Sequence, residues 1–310
     1  MANVEHPKRI GFVGLGKMGR PMAANLIAAG FQVIARDVDP AAQESFGRQH
    51  TCTMAASLAE LAAESEVIVT MLPNGKIVRD SVLGANGDDR IVDSFPKGGV
   101  LIDMSSSAPQ GTCQLGEILA GQGIEMLDAP VSGGVGKANE ATLAIMVGGT
   151  DETIQRCEPI LQAMGSKIFR TGGLGSGHAV KALNNMLSAV GLVGAVEAFL
   201  VGKRFGLDPE VMLEVINSST GRNNSTENKF ERYILSRAFN SGFALDLMLK
   251  DLTTAVDLAK DTQTPIMLSA LCRELCASAH AVLEKGADHT DVARWFEDLC
   301  GTHLAKEDEE

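Results

Sequence analysis

Between residues 10 and 171 short apolar runs alternate with segments of helical periodicity. Ile10-Gly11-Phe12-Val13, Gln32-Val33-Ile34-Ala35, Glu66–Leu72, Val100-Leu101-Ile102-Asp103, Glu125-Met126-Leu127-Asp128, Thr142–Val147 and Lys167-Ile168-Phe169-Arg170 read as strands. The intervening helices carry start signals: Asp39-Pro40 before one, and the capping box Ser57-Leu58-Ala59-Glu60 before another. A strand–helix alternation of this kind predicts a doubly wound parallel sheet with helices on both faces, a Rossmann-type α/β domain. After Gly172-Gly173 the pattern changes. Ser176 to about Arg204 is one long apolar helix, Asp208-Pro209-Glu210 opens the next, and Leu245–Asp261, Pro265–Lys285 and Thr290–Leu299 follow. No strand pattern recurs beyond residue 171, so residues 1–173 are expected to form one domain and residues 174–310 an all-α second one.

Composition narrows the function classes. The chain has 310 residues, enough for two cores. A net charge of −12 with no basic stripe argues against a nucleic-acid partner, and 4% aromatic content argues against base-stacking platforms. Six cysteines are scattered without a Cys-x-x-Cys pair or a histidine to complete a metal set, which predicts reduced, packing thiols and no metal site. The N-terminus has no secretory pattern and no apolar run of about 20 residues stands out, so a cytoplasmic protein without a membrane span is expected. The acidic end Lys306-Glu307-Asp308-Glu309-Glu310 reads as a solvated tail.

The first candidate chemistry is Gly14-Leu15-Gly16-Lys17-Met18-Gly19, between the first strand and the first helix. Glycines there permit a tight turn and close approach of a pyrophosphate, which the helix N-terminus stabilises with free N–H groups and its dipole. Asp37 ends the second strand 18 residues past Gly19, near the separation of about 20 at which a carboxylate receives ribose hydroxyls. That carboxylate would repel a 2′-phosphate, so NAD is expected, with NADP possible. Arg36 adjoins it, but strand alternation directs it to the other face. The second candidate is Lys181, a lone charge on an apolar helix just after a glycine-rich loop, with Asn184 and Asn185 one turn on.

Several stretches together resemble the β-hydroxyacid dehydrogenase family, which includes 3-hydroxyisobutyrate dehydrogenases and tartronate semialdehyde reductases. They are Gly14–Pro21, Met71-Leu72-Pro73-Asn74, Asp103-Met104-Ser105-Ser106, Asp128-Ala129-Pro130-Val131-Ser132-Gly133-Gly134, Gly175–Asn185 and Lys250-Asp251-Leu252. The resemblance covers nearly the whole chain, in order. It implies an active site in the cleft between the two domains, with Ser132, Gly133 and Gly134 as a neutral nest for a substrate carboxylate. It also implies Lys181 as the acid–base group, exchanging a proton with the substrate hydroxyl while a hydride passes between substrate and nicotinamide. Asn185, four residues on and on the same helix face, is expected to grip the substrate, with Asn184 as a second candidate. Leu72, Pro73 and Asn74 would line the adenosine side, Ser106 the nicotinamide end, and Lys250 would close over the cofactor. An ordinary lysine pKa of about 10.4 suits a base poorly, so burial and the cationic nicotinamide are expected to lower that of Lys181. His178, one turn earlier, is read as loop polarity rather than as a catalytic group.

One departure bears on the substrate. Where 3-hydroxyisobutyrate dehydrogenases carry an aromatic-containing pair after Ser-Gly-Arg, this chain has Asn223-Asn224 after Thr220-Gly221-Arg222. A polar pocket wall there would favour a hydroxylated or otherwise polar substrate over a methyl-branched one. The expected reaction interconverts a small 3-hydroxy acid and its semialdehyde. Alternatives are an NADPH-preferring glyoxylate or succinic semialdehyde reductase, which Asp37 and Val38 disfavour, and a non-catalytic NAD-binding relative, which Lys181 disfavours. The apolar helix from Ser176 predicts a homo-oligomer, a dimer or tetramer.

Overall fold

The computed structural model describes residues 6–84 and 89–305; the acidic end lies outside the described residues. The chain forms two compact units, residues 1–181 and 182–310.

In the first unit the strands are β1 (Arg9–Val13), β2 (Gln32–Arg36), β3 (Thr53–Met54), β4 (Val67–Thr70), β5 (Val100–Asp103), β6 (Glu125–Asp128), β7 (Val131–Ser132), β8 (Leu143–Gly148) and β9 (Gly165–Gly172). The order is β3-β2-β1-β4-β5-β6-β8-β7, with β9 also pairing to β8. From β3 to β6 every pairing is parallel, the Rossmann order. Period-two alternation splits each strand between two cores: Ile10, Phe12, Val67, Val69, Val100 and Ile102 face one side, and Val13, Ile34, Ile68 and Leu101 the other. The expectation of an all-parallel sheet is corrected beyond β6, where β8 runs antiparallel to β6 and to β7. Alternating hydrophobicity in Thr142–Val147 marks a strand but does not encode its direction.

Helices cover the sheet: α1 (Gly19–Ala28), α2 (Pro40–Gln49), α3 (Leu58–Ala63), α4 (Gly75–Leu83), α5 (Pro109–Gly121), α6 (Gly134–Asn139) and α7 (Asp151–Gln162). The expected caps form, with Asp39 accepting from the Ala41 N–H and Ser57 from the Glu60 N–H. The capping box at Ser57 is only half made, because the Glu60 carboxylate accepts from Ala56 instead.

Helix α8 (Ser176–Phe205) begins in the first unit and continues into the second. Its first six residues belong with the sheet rather than with the helical unit, because its start is tied to β6 as described below. The second unit continues with α9 (Pro209–Asn217), a ten-residue π-helix (Thr226–Leu235), α10 (Leu245–Asp261), α11 (Met267–Val282), a 3-10 turn (His289–Asp291) and α12 (Val292–Cys300). Asp208 caps α9 through the Glu210 and Val211 N–H groups. The π-helix has no counterpart in the sequence reading, because its i→i+5 bonding does not produce the 3.6-residue period. Ala189, Leu192, Val193, Val196, Phe199 and Leu200 make α8 the spine of this unit's core. By length and composition alone α8 is apolar enough to cross a bilayer, contrary to the expectation of no such run, yet half of its most apolar window is buried in the protein. All six cysteines are free thiols.

Candidate active site

The turn after β1 is shaped by close backbone approach. Gly14 has φ +102°, and a Cβ on it would lie 2.3 Å from the Met71 carbonyl; one on Gly19 would lie 1.9 Å from the Gly14 carbonyl. Gly16 differs: a Cβ there would meet nothing within 4 Å. The turn is therefore packed on its strand side and open over Gly16, at the positive end of the α1 dipole. That opening fits a pyrophosphate, so the residues present match a dinucleotide. Leu15 buries its side chain in the core and donates its N–H to Asp37 Oδ2 at 2.6 Å, while Asp37 Oδ1 accepts from the Asp39 N–H at 2.8 Å. The carboxylate is thus fixed at the mouth of the turn with lone pairs left for hydroxyl donors. Arg36 points elsewhere, onto the Ala55 and Ala56 carbonyls and Asp89. Met18 packs against the core, and Lys17 is exposed. Arg20, which carried no role in the sequence reading, braces the turn by donating to the Leu15 and Ala42 carbonyls and the Ser45 hydroxyl.

Leu72 lies against Gly14, so the loop after β4 borders the same turn. Pro73 is exposed, and Asn74 caps α4 by accepting from the Ile77 N–H at 3.0 Å. A buried network ties this loop to α8. The Leu72 N–H donates to Ser105 Oγ at 2.9 Å, and the Ser105 N–H donates to Asp103 Oδ1 at 3.0 Å. The Ser105 carbonyl accepts from His178 Nε2 at 3.0 Å. A carbonyl carries no proton, so that ring nitrogen must be the donor. Nδ1 of His178 lies 2.8 Å from the Thr112 hydroxyl. His178 is almost fully buried, which corrects its reading as loop polarity: it is an internal strut between β5, α5 and α8. Ser106, next to this network, is half-buried.

Asp128 is the residue whose importance the sequence concealed. At the end of β6, with no exposed surface, it accepts from the Gly175 N–H through Oδ1 and the His178 N–H through Oδ2, each at 2.7 Å. Gly175 and His178 are the cap and third positions of α8, so a carboxylate from the sheet caps this helix in place of a local side chain. A Cβ on Gly177 would lie 2.2 Å from the Met146 carbonyl, so the helix start is pressed against β8. An acid following the buried Met126-Leu127 pair of the strand is the available signal. Lys181 sits one turn beyond His178, half-buried, on a segment held this firmly. Also in the first unit, Ser132 ends β7 half-buried, Gly133 has φ +138°, and Gly134 opens α6, with open space where its side chain would stand.

In the second unit Asn184 is exposed and donates to Asn185 Oδ1 at 3.1 Å; Asn185 is buried and donates to Asp251 Oδ2 at 2.5 Å. Lys250 Nζ lies 3.3 Å from Asp251 Oδ1. Asn184, Asn185 and Lys250 thus meet through Asp251, a buried acid to which the sequence reading gave no role. Asn223 does not provide the polar wall expected of it. Its Oδ1 accepts from the Ser225 and Thr226 N–H groups, and its Nδ2 donates to the Gly191 carbonyl at 3.3 Å, so it caps the π-helix against α8. Asn224 and Arg222 are exposed. Among the described residues no cluster of metal ligands occurs.

Comparisons with known proteins agree with this construction. Residues 9–173 match the family model for the NAD binding domain of 6-phosphogluconate dehydrogenase, and residues 175–296 match that for the NAD-binding region of NADP-dependent 3-hydroxyisobutyrate dehydrogenase. The chain is 36% identical to 2-(hydroxymethyl)glutarate dehydrogenase of Eubacterium barkeri, over 97% of this chain and 99% of that one. It is 37% identical to 3-hydroxyisobutyrate dehydrogenase of Pseudomonas aeruginosa, over 93% and 98%. Among solved structures, Mycobacterium tuberculosis 3-hydroxyisobutyrate dehydrogenase with L-serine superimposes with a TM-score of 0.86 at 32% identity, covering 93% of this chain and 99% of that one. With its Rossmann order, its glycine turn and Asp37, and the lysine-bearing helix capped from the sheet, the chain belongs to the β-hydroxyacid dehydrogenase family of NAD(P)-dependent oxidoreductases.

Proposed function

We propose that the protein interconverts a small 3-hydroxy acid and its semialdehyde, with NAD preferred and Lys181 as the general acid and base. The observation that carries this reading is the anchoring of the Lys181 helix. Its first turn is locked by Asp128 and His178, so a flexible side chain starts from a fixed backbone. A bound nicotinamide supplies or accepts the hydride. In the oxidative direction neutral Lys181 takes the hydroxyl proton; in the reductive direction its ammonium returns it to the developing alkoxide. Ser132 with the Gly133 and Gly134 amides receives the substrate carboxylate. Asn185, its amide oriented by Asp251, grips the substrate, with Asn184 beside it. Lys250 is steadied by the same carboxylate and acts on the cofactor.

Asp37 supports NAD, since its fixed carboxylate suits ribose hydroxyls and repels a 2′-phosphate. The description of the second matching family model names an NADP-dependent enzyme, so both nucleotides enter the test. The two curated relatives act, by their names, on 2-(hydroxymethyl)glutarate and 3-hydroxyisobutyrate, which supports a hydroxymethyl-bearing acid as the substrate. In the second unit Leu187, Val201 and Phe205 of α8 and Met267, Leu268 and Leu271 of α11 are exposed. Apolar surface of this kind supports a homodimer or homotetramer.

The test is nucleotide reduction across a panel of hydroxymethyl acids with NAD and with NADP. The expected result is turnover with at least one of these acids and kcat/KM at least tenfold higher with NAD. No turnover with any acid and either nucleotide would overturn the reading.

A further inference from the structure

Lys229 is the anomaly of the second unit. It lies in the π-helix and donates from Nζ to Ser188 Oγ of α8 at 2.9 Å. Burial pushes its pKa down to about 8, with Asp288 pulling weakly the other way. Asp288 is no ion-pair partner: its two oxygens accept from the Ser241 and Thr290 hydroxyls and from the Gly242, Phe243 and Thr290 N–H groups. Among the described residues no carboxylate comes within ion-pair distance of Lys229. A half-buried ammonium with one hydroxyl acceptor keeps donor capacity for an anionic ligand, and loss of solvent around it strengthens that attraction.

Its placement says which ligand. Ser188 follows Asn185 by three residues and Lys181 by seven. At 100° per residue these three positions share one face of α8, and Ser188 stands about 10 Å along the axis from Lys181. The π-helix is pinned to this stretch of α8 by Asn223 on the Gly191 carbonyl and Ser225 Oγ on the Ser188 carbonyl. Its buried row, Thr226, Phe230 and Ile234, fixes its rotation. Widened i→i+5 turns are rare and are frequently found at functional sites.

We propose that Lys229 and Ser188 form a subsite for a second carboxylate of the substrate, remote from the hydroxyl that reacts, so that hydroxy diacids are preferred over monoacids. This rests on the dehydrogenase reading above for its chemistry. The bound carboxylate takes the two ammonium protons that Ser188 leaves unused, restoring the charge that burial disfavours. No change in the reaction at the hydroxymethyl carbon is required.

The experiment compares wild type, Lys229→Met and Lys229→Arg with two probes, 3-hydroxyisobutyrate and 2-(hydroxymethyl)glutarate, by kcat/KM, and with glutarate by calorimetry in the presence of NAD. The expected result is that the diacid-to-monoacid ratio of kcat/KM falls at least tenfold in Lys229→Met and stays within threefold in Lys229→Arg. Glutarate should bind wild type and fail to bind Lys229→Met. An unchanged ratio in Lys229→Met, or equal glutarate binding by wild type and that variant, overturns the proposal. The ratio cancels a general loss of folded enzyme, and the arginine variant reports whether charge is what matters. If wild type oxidises neither acid, the dehydrogenase reading fails while glutarate binding still decides the subsite.

Discussion

The two units treat buried charge in opposite ways. In the sheet unit Asp128 is fully enclosed and satisfied, each oxygen taking a backbone N–H of α8. Asp103 beside it is equally enclosed and accepts from the Thr70 and Ser107 hydroxyls and the Ser105 N–H. In the helical unit Lys229 is half-buried with a single hydroxyl acceptor. A saturated charge is scaffold: its work is finished when the chain folds. An under-satisfied one holds interaction capacity in reserve for a ligand, at the expense of stability. On the proposals above, the comparison sets a residue that positions the Lys181 helix against one that recognises the substrate.

The contrast can be broken most forcefully at Asp128. Asp128→Ala strips two donors at the start of α8 of their acceptor in a site without solvent. A loss of about 4 kcal/mol in unfolding free energy is expected, read by urea denaturation; a loss under about 1 kcal/mol would remove Asp128 from the scaffold. The opposite sign is expected at Lys229. With a native pKa near 8 against about 10.4 for a free lysine, the folded state binds fewer protons between those values. The cost of burying the ammonium is therefore complete below pH 8 and is relieved as pH rises toward 10. Lys229→Met should stabilise the protein at pH 7 by about 1–3 kcal/mol. The gap to wild type should narrow between pH 8 and 10. A destabilised variant, or a gap independent of pH, would show that the ammonium is paired after all.

These two residues also mark where the sequence was and was not legible. Strand alternation, the glycine turn with Asp37, and the caps at Asp39 and Asp208 are local patterns, and each forms where it was expected. Asp128 was visible as part of a motif, but its role is tertiary: the helix it caps begins 48 residues later. His178 next to a glycine-rich loop looked solvent-facing because the β5, α5 and β6 partners that enclose it are distant in sequence. Asn223 was read as pocket polarity and is instead a cap, a use that only the π-helix behind it explains. Lys229 within Glu227-Asn228-Lys229-Phe230 resembles any surface charge, and a period wider than 3.6 hides the helix that carries it.

The central claim is that Lys181, on the helix Asp128 holds, moves the proton. The most direct measurement is Lys181→Met, assayed with the best hydroxy acid from the panel while NAD affinity is followed by fluorescence. The account predicts a fall in kcat/KM of about a thousandfold or more with the NAD Kd within about threefold of wild type. Turnover within tenfold of wild type would contradict it.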